Sequence, residues 1–446
     1  MAAKLVKADP TVVAEFETAF SPEGFGTCAL EDYEKIPVPS FHIASEFICY
    51  ASPDSTYAVT KRLMDHAQHS ILIGIYDFTA GYMSELLKKA MQRGVEVSLM
   101  LDLDGRTGET PLFEDLVAHG CQGVSAPSCA SEHVHYFGNC HEKVIVIDSA
   151  WVLVQSGNYS HSSIPQNEVD GGARSDFIPG NRDMGIAIHS KPLAAFFSKI
   201  LRNDMKLTLE AMGGEAAPGE DTTRAAVTVM EAAPSQPPTT LFRSKTVTPS
   251  AAVRVTPVLS PDNYMQVIPD LLRSATKSLY IEQQYIRSGQ PHIQTLLAAI
   301  RDVVAAHADL EVRIILAPPK FADDFTKMER TLKDLRNDFN LRMGTHIRWL
   351  NPKHFVHCHN KLIIVDKQRV LVSSQNWSDM AVSRNREAGV LIHHAPIARY
   401  YAKIFTSDWE TGLTKIRRGP SPELFAPESL PTGKVVPLNW GDYTEV

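Results

Sequence analysis

The sequence lacks any long apolar run. None of its hydrophobic stretches approaches the roughly 20 residues needed to span a bilayer, and the segment from Met1 to Pro10 lacks the apolar core of a signal peptide. These absences predict a protein without a transmembrane segment. They also predict a cytoplasmic location, with a mature secreted form restarted at Met as the alternative.

Cysteines are also few, and there is no excess of positive charge. The six cysteines include no C-x-x-C pair or zinc-knuckle spacing, which favours a reduced compartment over a disulfide framework. The 44 Lys and Arg are outnumbered by 51 Asp and Glu, so no general basic excess favours nucleic-acid binding. What remains is an ordinary globular composition, with 446 residues and 44% hydrophobic content, enough for two or three domains.

One nine-residue stretch occurs twice. Residues 140–148 read C-H-E-K-V-I-V-I-D and residues 358–366 read C-H-N-K-L-I-I-V-D, so both contain H-x-K-x4-D. The repeat continues at the same offset of 218 positions in the pairs Ser156/Ser374 and Asn158/Asn376. The chain is therefore an internal duplication.

The rest of the chain repeats more loosely. Ser52-Pro53-Asp54 returns as Ser260-Pro261-Asp262, and Asn181-Arg182-Asp183 returns as Asn385-Arg386-Glu387. Helical periodicity alternates with β-branched strands in both halves. This pattern predicts an α/β fold of two duplicated α-β-α sandwich halves, each a mixed sheet flanked by helices. A pseudo-twofold would relate the halves, with the active site at their interface.

Composition shifts suggest the domain divisions. The predicted segments are an N-terminal extension packed on the first half (1–48), the first half (49–212), a linker rich in Ala, Pro and Thr (213–250), the second half (251–415) and a C-terminal tail (416–446). The first half also carries a 14-residue insertion within 160–180, predicted either to shape the site or to be an inert surface loop. A monomer containing an internal pseudo-dimer is expected.

Each H-x-K stretch leads into a predicted β-hairpin. In the first copy, 144–147 and 152–154 are short β-branched runs joined by a tight turn at 148–150. With Asp148 facing Trp151 across this turn, one face of the hairpin would carry a set of polar side chains. The predicted cross-strand pairs on that face are His141–Asn158 and Lys143–Ser156 in the first copy, and His359–Asn376 and Lys361–Ser374 in the second.

Two such faces meeting would suit a phosphodiester. Two histidines can supply a nucleophile and an acid near neutral pH, while lysine and amide groups stabilise charge on the phosphoryl oxygens. One histidine would attack phosphorus to form a phosphohistidine, and the other would protonate the leaving alcohol and then activate water or a new alcohol. No metal or cofactor is required. Asp183 and Glu387, acidic members of the matched strands after the hairpins, are the candidates for orienting the histidines.

The candidate site therefore has three groups of residues. The predicted catalytic residues are His141, His359, Lys143, Lys361, Asp148 and Asp366; the predicted phosphate-binding residues are Ser156, Ser374, Asn158 and Asn376; the predicted His-orienting residues are Asp183 and Glu387. For the two motif aspartates, support of the hairpin turns is an alternative role. A zinc site is a competing hypothesis, from clusters at His133, His135 and His141 or at His354, His357 and His359.

With these motifs the sequence resembles the phospholipase D superfamily, whose signature is H-x-K-x4-D-x6-G-S-x-N in two copies. The resemblance covers about residues 50–415, and only the Gly position departs, holding Gln155 and Ser373. It implies a metal-independent phosphodiesterase that hydrolyses or exchanges head groups through a phosphohistidine. It also implies that His141 is the nucleophile and His359 the general acid.

The superfamily includes phospholipases, phospholipid synthases and nucleases, so the signature leaves the substrate open. The acidic balance and apolar candidate rim residues favour a phospholipid at a membrane surface; these residues are Ile164, Phe177, Ile178, Phe355 and Trp377. A nucleic acid is the alternative, with basic residues of 320–336 as a groove, although interleaved acids there favour a solvated helix. A non-catalytic binding module is a third hypothesis, and it predicts a degraded second motif, which the sequence does not show.

Overall fold

Two eight-stranded mixed sheets form the frame of the protein, one built mainly from each half of the repeat. The computed structural model describes residues 28–103, 108–173, 175–212, 228–231, 234, 236–319, 322–417, 435–438 and 444–445. Helices pack on both faces of the sheets, so the predicted duplicated α/β architecture is confirmed.

The strands run in chain order as β1 (Phe41–Ile43), β2 (Phe47–Ser52), β3 (Ser70–Ile75), β4 (Glu96–Leu101), β5 (Gln122–Ser125), β6 (Lys143–Ile147), β7 (Trp151–Gln155), β8 (Asp183–His189), β9 (Thr228–Glu231), β10 (Lys245–Val247), β11 (Val253–Ser260), β12 (Ser278–Gln283), β13 (Glu311–Leu316), β14 (Ile347–Trp349), β15 (Lys361–Val365), β16 (Arg369–Ser373), β17 (Glu387–His393), β18 (Ile416–Arg417), β19 (Val435–Leu438) and β20 (Thr444–Glu445). The first sheet has the order β10-β2-β8-β7-β6-β3-β4-β5, and the second has the order β1-β11-β17-β16-β15-β12-β13-β14.

The helices are α1 (Thr56–Asp65), α2 (Gly81–Gln92), α3 (Glu109–Ala118), α4 (Lys191–Ala211), α5 (Tyr264–Arg273), α6 (Pro291–Ala306), α7 (Ala322–Phe339), α8 (Asp379–Ser383) and α9 (Ala395–Thr411). The apolar side chains of α4 and α9 lie in a core shared by the inner faces of both sheets. The remaining helices cover the outer faces in two further cores. Strand β6 shows this layering, because Val144 and Val146 face the shared core while Ile145 and Ile147 face an outer one.

The edge strands are exchanged between the halves. β1 precedes the first half in the chain but pairs with β11 of the second sheet. β10 precedes the second half but pairs with β2 of the first sheet. The prediction that the N-terminal extension packs on the first half is therefore incomplete, and the predicted linker contributes a strand at its end. Residues 213–227, 232, 233 and 235 of that linker lie outside the described residues.

A disulfide also ties the N-terminal extension to the first half. Cys28 and Cys129 are bonded across a sequence separation of 101 residues. The cysteine spacing gave no sign of this pair, because the fold, and not a local motif, brings the two residues together. The other four cysteines are buried thiols.

The register of both hairpins differs by one residue from the prediction. Ile147 pairs with Trp151, which places Lys143 level with Gln155 instead of Ser156. Asp148 and Ser149 have φ values of 51° and 52°, and Ala150 N–H donates to the carbonyl of Ile147 at 3.0 Å. Two left-handed residues and that bond make a type I′ turn, so Ala150 is an extra residue that shifts the pairing. The second hairpin has the same turn and shift.

Candidate active site at the interface of the halves

His141 is held by the second half of the chain. Its Nδ1 lies 2.7 Å from Oε2 of Glu387, the first residue of β17. Its backbone N–H donates to the carbonyl of Arg386 at 2.7 Å. The residue is only 3% exposed, so this histidine is fixed at the junction of the halves.

His359 has the reciprocal arrangement. Its Nδ1 lies 3.0 Å from Oδ1 of Asp183, the first residue of β8, and its backbone N–H donates to the carbonyl of Arg182 at 3.1 Å. The structure thus brings Asp183 and Glu387 to the histidines, each to the one on the opposite half. Neither His–carboxylate pair can form within one half alone.

The carboxylates set the protonation pattern of the imidazoles. An ionised carboxylate only accepts hydrogen bonds, so Nδ1 of each histidine carries the proton and Nε2 carries the lone pair when the ring is neutral. Burial alone would raise the pKa of Asp183. The charge and hydrogen bond of His359, with Lys361 and Ser156, outweigh burial and hold this pKa below its usual value. Asp183 is therefore ionised and accepts a hydrogen bond from Nδ1 of His359.

The motif serines bind the carboxylates. Ser156 Oγ donates to Asp183 Oδ1 at 2.7 Å, and Ser374 Oγ donates to Glu387 Oε2 at 2.5 Å. The one-residue register shift places each serine against an acid, and the role of the serines as phosphate ligands stays a prediction. Asn385 supports Glu387 further through a 3.1 Å bond to Oε1. Each serine orients the group that orients a histidine.

The motif lysines are buried beside the histidines. Lys143 Nζ donates to the carbonyl of His141 at 2.7 Å, and Lys361 Nζ donates to that of His359 at 2.7 Å. The motif asparagines are also buried, Asn158 at 0% and Asn376 at 4% exposure, three residues beyond the ends of β7 and β16. These side chains add two cationic and two amide groups to the interface.

The motif aspartates lie elsewhere. Asp148 accepts backbone N–H bonds from residues 68, 69 and 70 at 2.7 to 2.9 Å, at the end of β6 away from His141. Asp366 accepts the equivalent bonds from residues 276, 277 and 278. Burial opposes ionisation, but these bonds hold the pKa of each carboxyl below its usual value. These bonds fit the alternative role predicted for both residues, support of the turns and neighbouring strands, and a catalytic role for them stays a prediction.

The other histidines have separate partners. His135 Nε2 lies 2.7 Å from the carbonyl of Ser131, and His354 Nδ1 lies 3.1 Å from the carbonyl of Pro237. Among the described residues, no three His, Cys, Asp or Glu side chains are grouped in a way that could hold a metal ion. The geometry therefore gives no support to the zinc hypothesis.

Buried arginine clusters beside the histidines were missed by the sequence reasoning. Arg386 makes a two-point contact with Asp204 of α4 at 2.7 and 2.9 Å and also donates to Asp262 at 2.7 Å. Arg182 contacts Asp408 of α9 at 2.8 Å and Asp54 at 3.3 Å. Each arginine belongs to one half and its helix aspartate to the other. The sequence does carry a signal for these clusters. It lies in the repeated S-P-D and N-R-D/E segments and in the equivalent positions of Asp204 and Asp408.

A complementary exchange distinguishes the two halves near the site. In the second half, Glu282 on β12 accepts a 3.1 Å bond from Asn360, the middle residue of H-x-K. In the first half these positions are Gly74 and Glu142, so the acid has moved from the strand to the motif. A Cβ at Gly74 would lie 2.9 Å from the Glu142 carboxyl and closer still to Leu201 Cδ2, so Leu201 and the acid together fill the space left by glycine.

The Glu142 carboxyl should make stability fall as pH rises. Burial, with the nearby Asp204 charge, raises the pKa of Glu142 to about 8 from 4.5. Between about pH 5 and 8 the folded state therefore keeps a proton on Glu142 that the unfolded state has already released. Glu142→Gln should reduce the fall in the free energy of unfolding with pH by up to about 1.4 kcal/mol per pH unit. Urea unfolding at several pH values measures it, with the exposed Glu96→Gln as control. Parallel curves for wild type and Glu142→Gln would rule out this titration.

Hydrogen bonds hold the 160–180 insertion against the first half. Asn167 Nδ2 donates to the carbonyls of Pro53 and Ile178 at 2.8 Å, and Tyr82 OH donates to the carbonyl of Ile164 at 2.7 Å. Its Asp170 accepts a 2.7 Å bond from the backbone N–H of Ser244. The described part of the insertion is thus bonded both to the first half and to the segment before β10.

Comparison with known families identifies both halves. A family model described as cardiolipin synthase, PLD-like domain, matches residues 60–205 and 268–409. Among curated proteins, the DISARM protein DrmC of Bacillus paralicheniformis is 27% identical over 119 residues. That match covers 25% of this chain and 46% of the relative, so the chain spans just under half of the relative's length.

One solved structure shares the fold over most of its length at low sequence identity. Phosphatidylserine synthase of Haemophilus influenzae has a TM-score of 0.57 at 16% identity, covering 83% of this chain and 89% of that one. Nuc of Salmonella typhimurium, a phospholipase D family member, has a TM-score of 0.30 at 20% identity, covering 36% of this chain and 95% of that one. No helix in the described part of the chain is both long enough and apolar enough to cross a membrane.

Proposed function

This chain belongs to the phospholipase D superfamily, and we propose that it is a phosphodiesterase that uses no metal and acts through a phosphohistidine. One observation carries the proposal: two histidines at one interface each bind a carboxylate of the opposite half, Glu387 and Asp183. This is the pattern expected of a nucleophile and a general acid with fixed tautomers.

In the first step, Nε2 of His141 attacks phosphorus, and the bond from phosphorus to the leaving oxygen breaks. His359 enters as an imidazolium stabilised by Asp183 and gives its Nε2 proton to that oxygen. Lys143, Lys361, Asn158 and Asn376 stabilise the charge on the non-bridging oxygens. The products are a free alcohol and a phosphohistidine.

In the second step, neutral His359 takes a proton from water or from a second alcohol. The resulting oxygen nucleophile bonds to phosphorus, and the phosphorus–nitrogen bond to His141 breaks with its electron pair returning to the imidazole. Hydrolysis and head-group transfer therefore differ only in the acceptor. Both histidines end in their starting protonation states.

We favour a phospholipid as substrate, hydrolysed or transferred at a membrane surface. The matching family model, described as a cardiolipin synthase type, supports this choice, as does the net charge of −7. A nucleic acid is the second candidate. It is favoured by four exposed basic residues on α7, namely Lys327, Arg330, Lys333 and Arg336, but exposed Glu329 and Asp338 on the same helix weaken that surface.

The proposal is tested with two substrates side by side. Wild-type protein is expected to release phosphatidic acid from phosphatidylcholine vesicles, and EDTA should leave the rate within about twofold because no step uses a metal. Single-stranded DNA is the parallel substrate, and His141→Ala is the blank. Cleavage of DNA alone would replace the phospholipid assignment, while abolition of all activity by EDTA would refute the metal-free chemistry.

A further inference from the structure

The two sides of the site differ at positions that the repeat makes equivalent. Tyr76 comes directly after the strand residue that pairs with Lys143. Gln284 comes directly after the strand residue that pairs with Lys361. One half thus places an aromatic ring, and the other an amide, at the same point beside its motif.

The side that carries His141 is aromatic. The Tyr76 ring meets the His141 ring edge-on with centroids 4.7 Å apart, and Lys143 Nζ lies 5.1 Å from the centre of the Tyr76 ring. Asn139, two residues before His141, is half-buried and its backbone N–H donates to Asn385 Oδ1 at 3.1 Å. The first half therefore presents a ring at this point, and its nearby amide Asn139 lies against Asn385.

The side that carries His359 is polar. Gln284 Nε2 lies 3.1 Å from Nε2 of His357, the repeat counterpart of Asn139. Both residues are buried, with 0% and 8% of their surfaces exposed. An amide nitrogen can only donate, so His357 accepts at Nε2 and carries its proton on Nδ1. An amide and a neutral imidazole side by side form a surface suited to hydroxyl groups, which can donate and accept.

We infer that Gln284 and His357 form the subsite for the alcohol that leaves phosphorus and for the alcohol that replaces it, and that this subsite selects polyols. The inference rests on the proposed function, because it takes His359 as the acid that protonates the leaving oxygen. In an in-line displacement the nucleophile and the leaving group lie on opposite sides of phosphorus. With His141 as nucleophile, the alcohol lies on the side of His359, Gln284 and His357.

Selection follows from the hydrogen bonds that the acceptor can make. A polyol has hydroxyl groups beyond the reacting one, and these can bond to the Gln284 amide and the His357 imidazole. A monohydric alcohol of the same carbon skeleton cannot make these bonds, and it leaves buried polar groups poorly satisfied. Water and all alcohols compete for one phosphohistidine, so the product ratio reports this subsite independently of the first step.

The test is a competition between glycerol and 1-propanol at equal concentration, with bis(p-nitrophenyl) phosphate and, separately, phosphatidylcholine vesicles as donors. Wild-type protein is expected to form the glycerol ester in about tenfold or greater excess over the propyl ester. Three variants should each reduce the excess to about threefold or less: Gln284→Met, His357→Leu and Gln284→Tyr, the last of which copies Tyr76. The exposed Gln294→Met is the matched control and should keep the wild-type ratio.

A wild-type ratio near one would overturn the inference without any variant. An excess of glycerol ester that persists in Gln284→Met and His357→Leu would also overturn it, because the selection would then lie elsewhere. The burst of p-nitrophenol from bis(p-nitrophenyl) phosphate shows whether each variant still forms the phosphohistidine. Absence of that burst and of phosphatidic acid in wild-type protein would refute the proposed chemistry itself, which is a different failure.

Discussion

His141→Ala and His359→Ala should each lower steady-state turnover of a phosphodiester by about 10⁴-fold or more. Each change removes one of the two imidazoles between which the proposed reaction alternates. Glu387 and Asp183 would each lose the imidazole that they contact at 2.7 and 3.0 Å. Turnover measured with bis(p-nitrophenyl) phosphate tests this effect.

The same substrate separates the two roles. p-Nitrophenolate leaves without protonation, so His359→Ala should still give a burst of about one equivalent of p-nitrophenol and then stall as a phosphohistidine. His141→Ala should give no burst. The exposed His133→Ala is the control and should turn over like wild type. A burst in His141→Ala with none in His359→Ala would exchange the two roles, and full turnover in either variant would show that the halves do not share one site.

Arg386→Met should destabilise the protein by about 3–5 kcal/mol, the second large effect. The change leaves Asp204 and Asp262 buried without the guanidinium that contacts both within 2.9 Å. The guanidinium also stacks on Phe137, with its carbon 4.2 Å from the ring centre. Urea or thermal unfolding measures the loss, and Arg336→Met on the exposed face of α7 is the matched control.

A compensated variant distinguishes charge from packing. Arg386→Met combined with Asp204→Leu and Asp262→Leu removes the unpaired acids, so most of the lost stability should return. Equal instability of the single and triple variants would show that the guanidinium acts through its shape. Arg182 and Asp408 form the equivalent contact in the other half, so Arg182→Met is expected to behave in the same way.

The repeat made much of the fold accessible from the sequence. Two copies of one motif, helices at 3.6-residue spacing and β-branched strands between them are local signals, and they predicted two α/β halves with the motif at their junction. The candidates Asp183 and Glu387 also came from the repeat, because they occupy the same place after the hairpins. No local signal could show that each acid serves the histidine of the opposite half.

The parts that could not be predicted depend on backbone geometry or on distant pairs. Two left-handed residues at the hairpin turn, Asp148 and Ser149, shift the register by one position, and that shift directs Ser156 to Asp183. The Cys28–Cys129 bond joins residues 101 positions apart. The acid on the strand of the second half, Glu282, is replaced in the first half by an acid in the motif, Glu142. Only the packed structure reveals this relation, because each position is unremarkable when taken separately.

The exchanged edge strands impose an order on folding during synthesis. β1 leaves the ribosome more than 200 residues before β11, the strand with which it pairs, since Phe41 lies opposite Val255. At about 5 to 20 residues per second, this wait lasts on the order of 10 to 40 seconds. The first sheet meanwhile lacks β10, which is made just ahead of the second half. The nascent first half therefore emerges with an unfinished sheet edge and without Glu387, and it acquires both only as the remainder of the chain is translated.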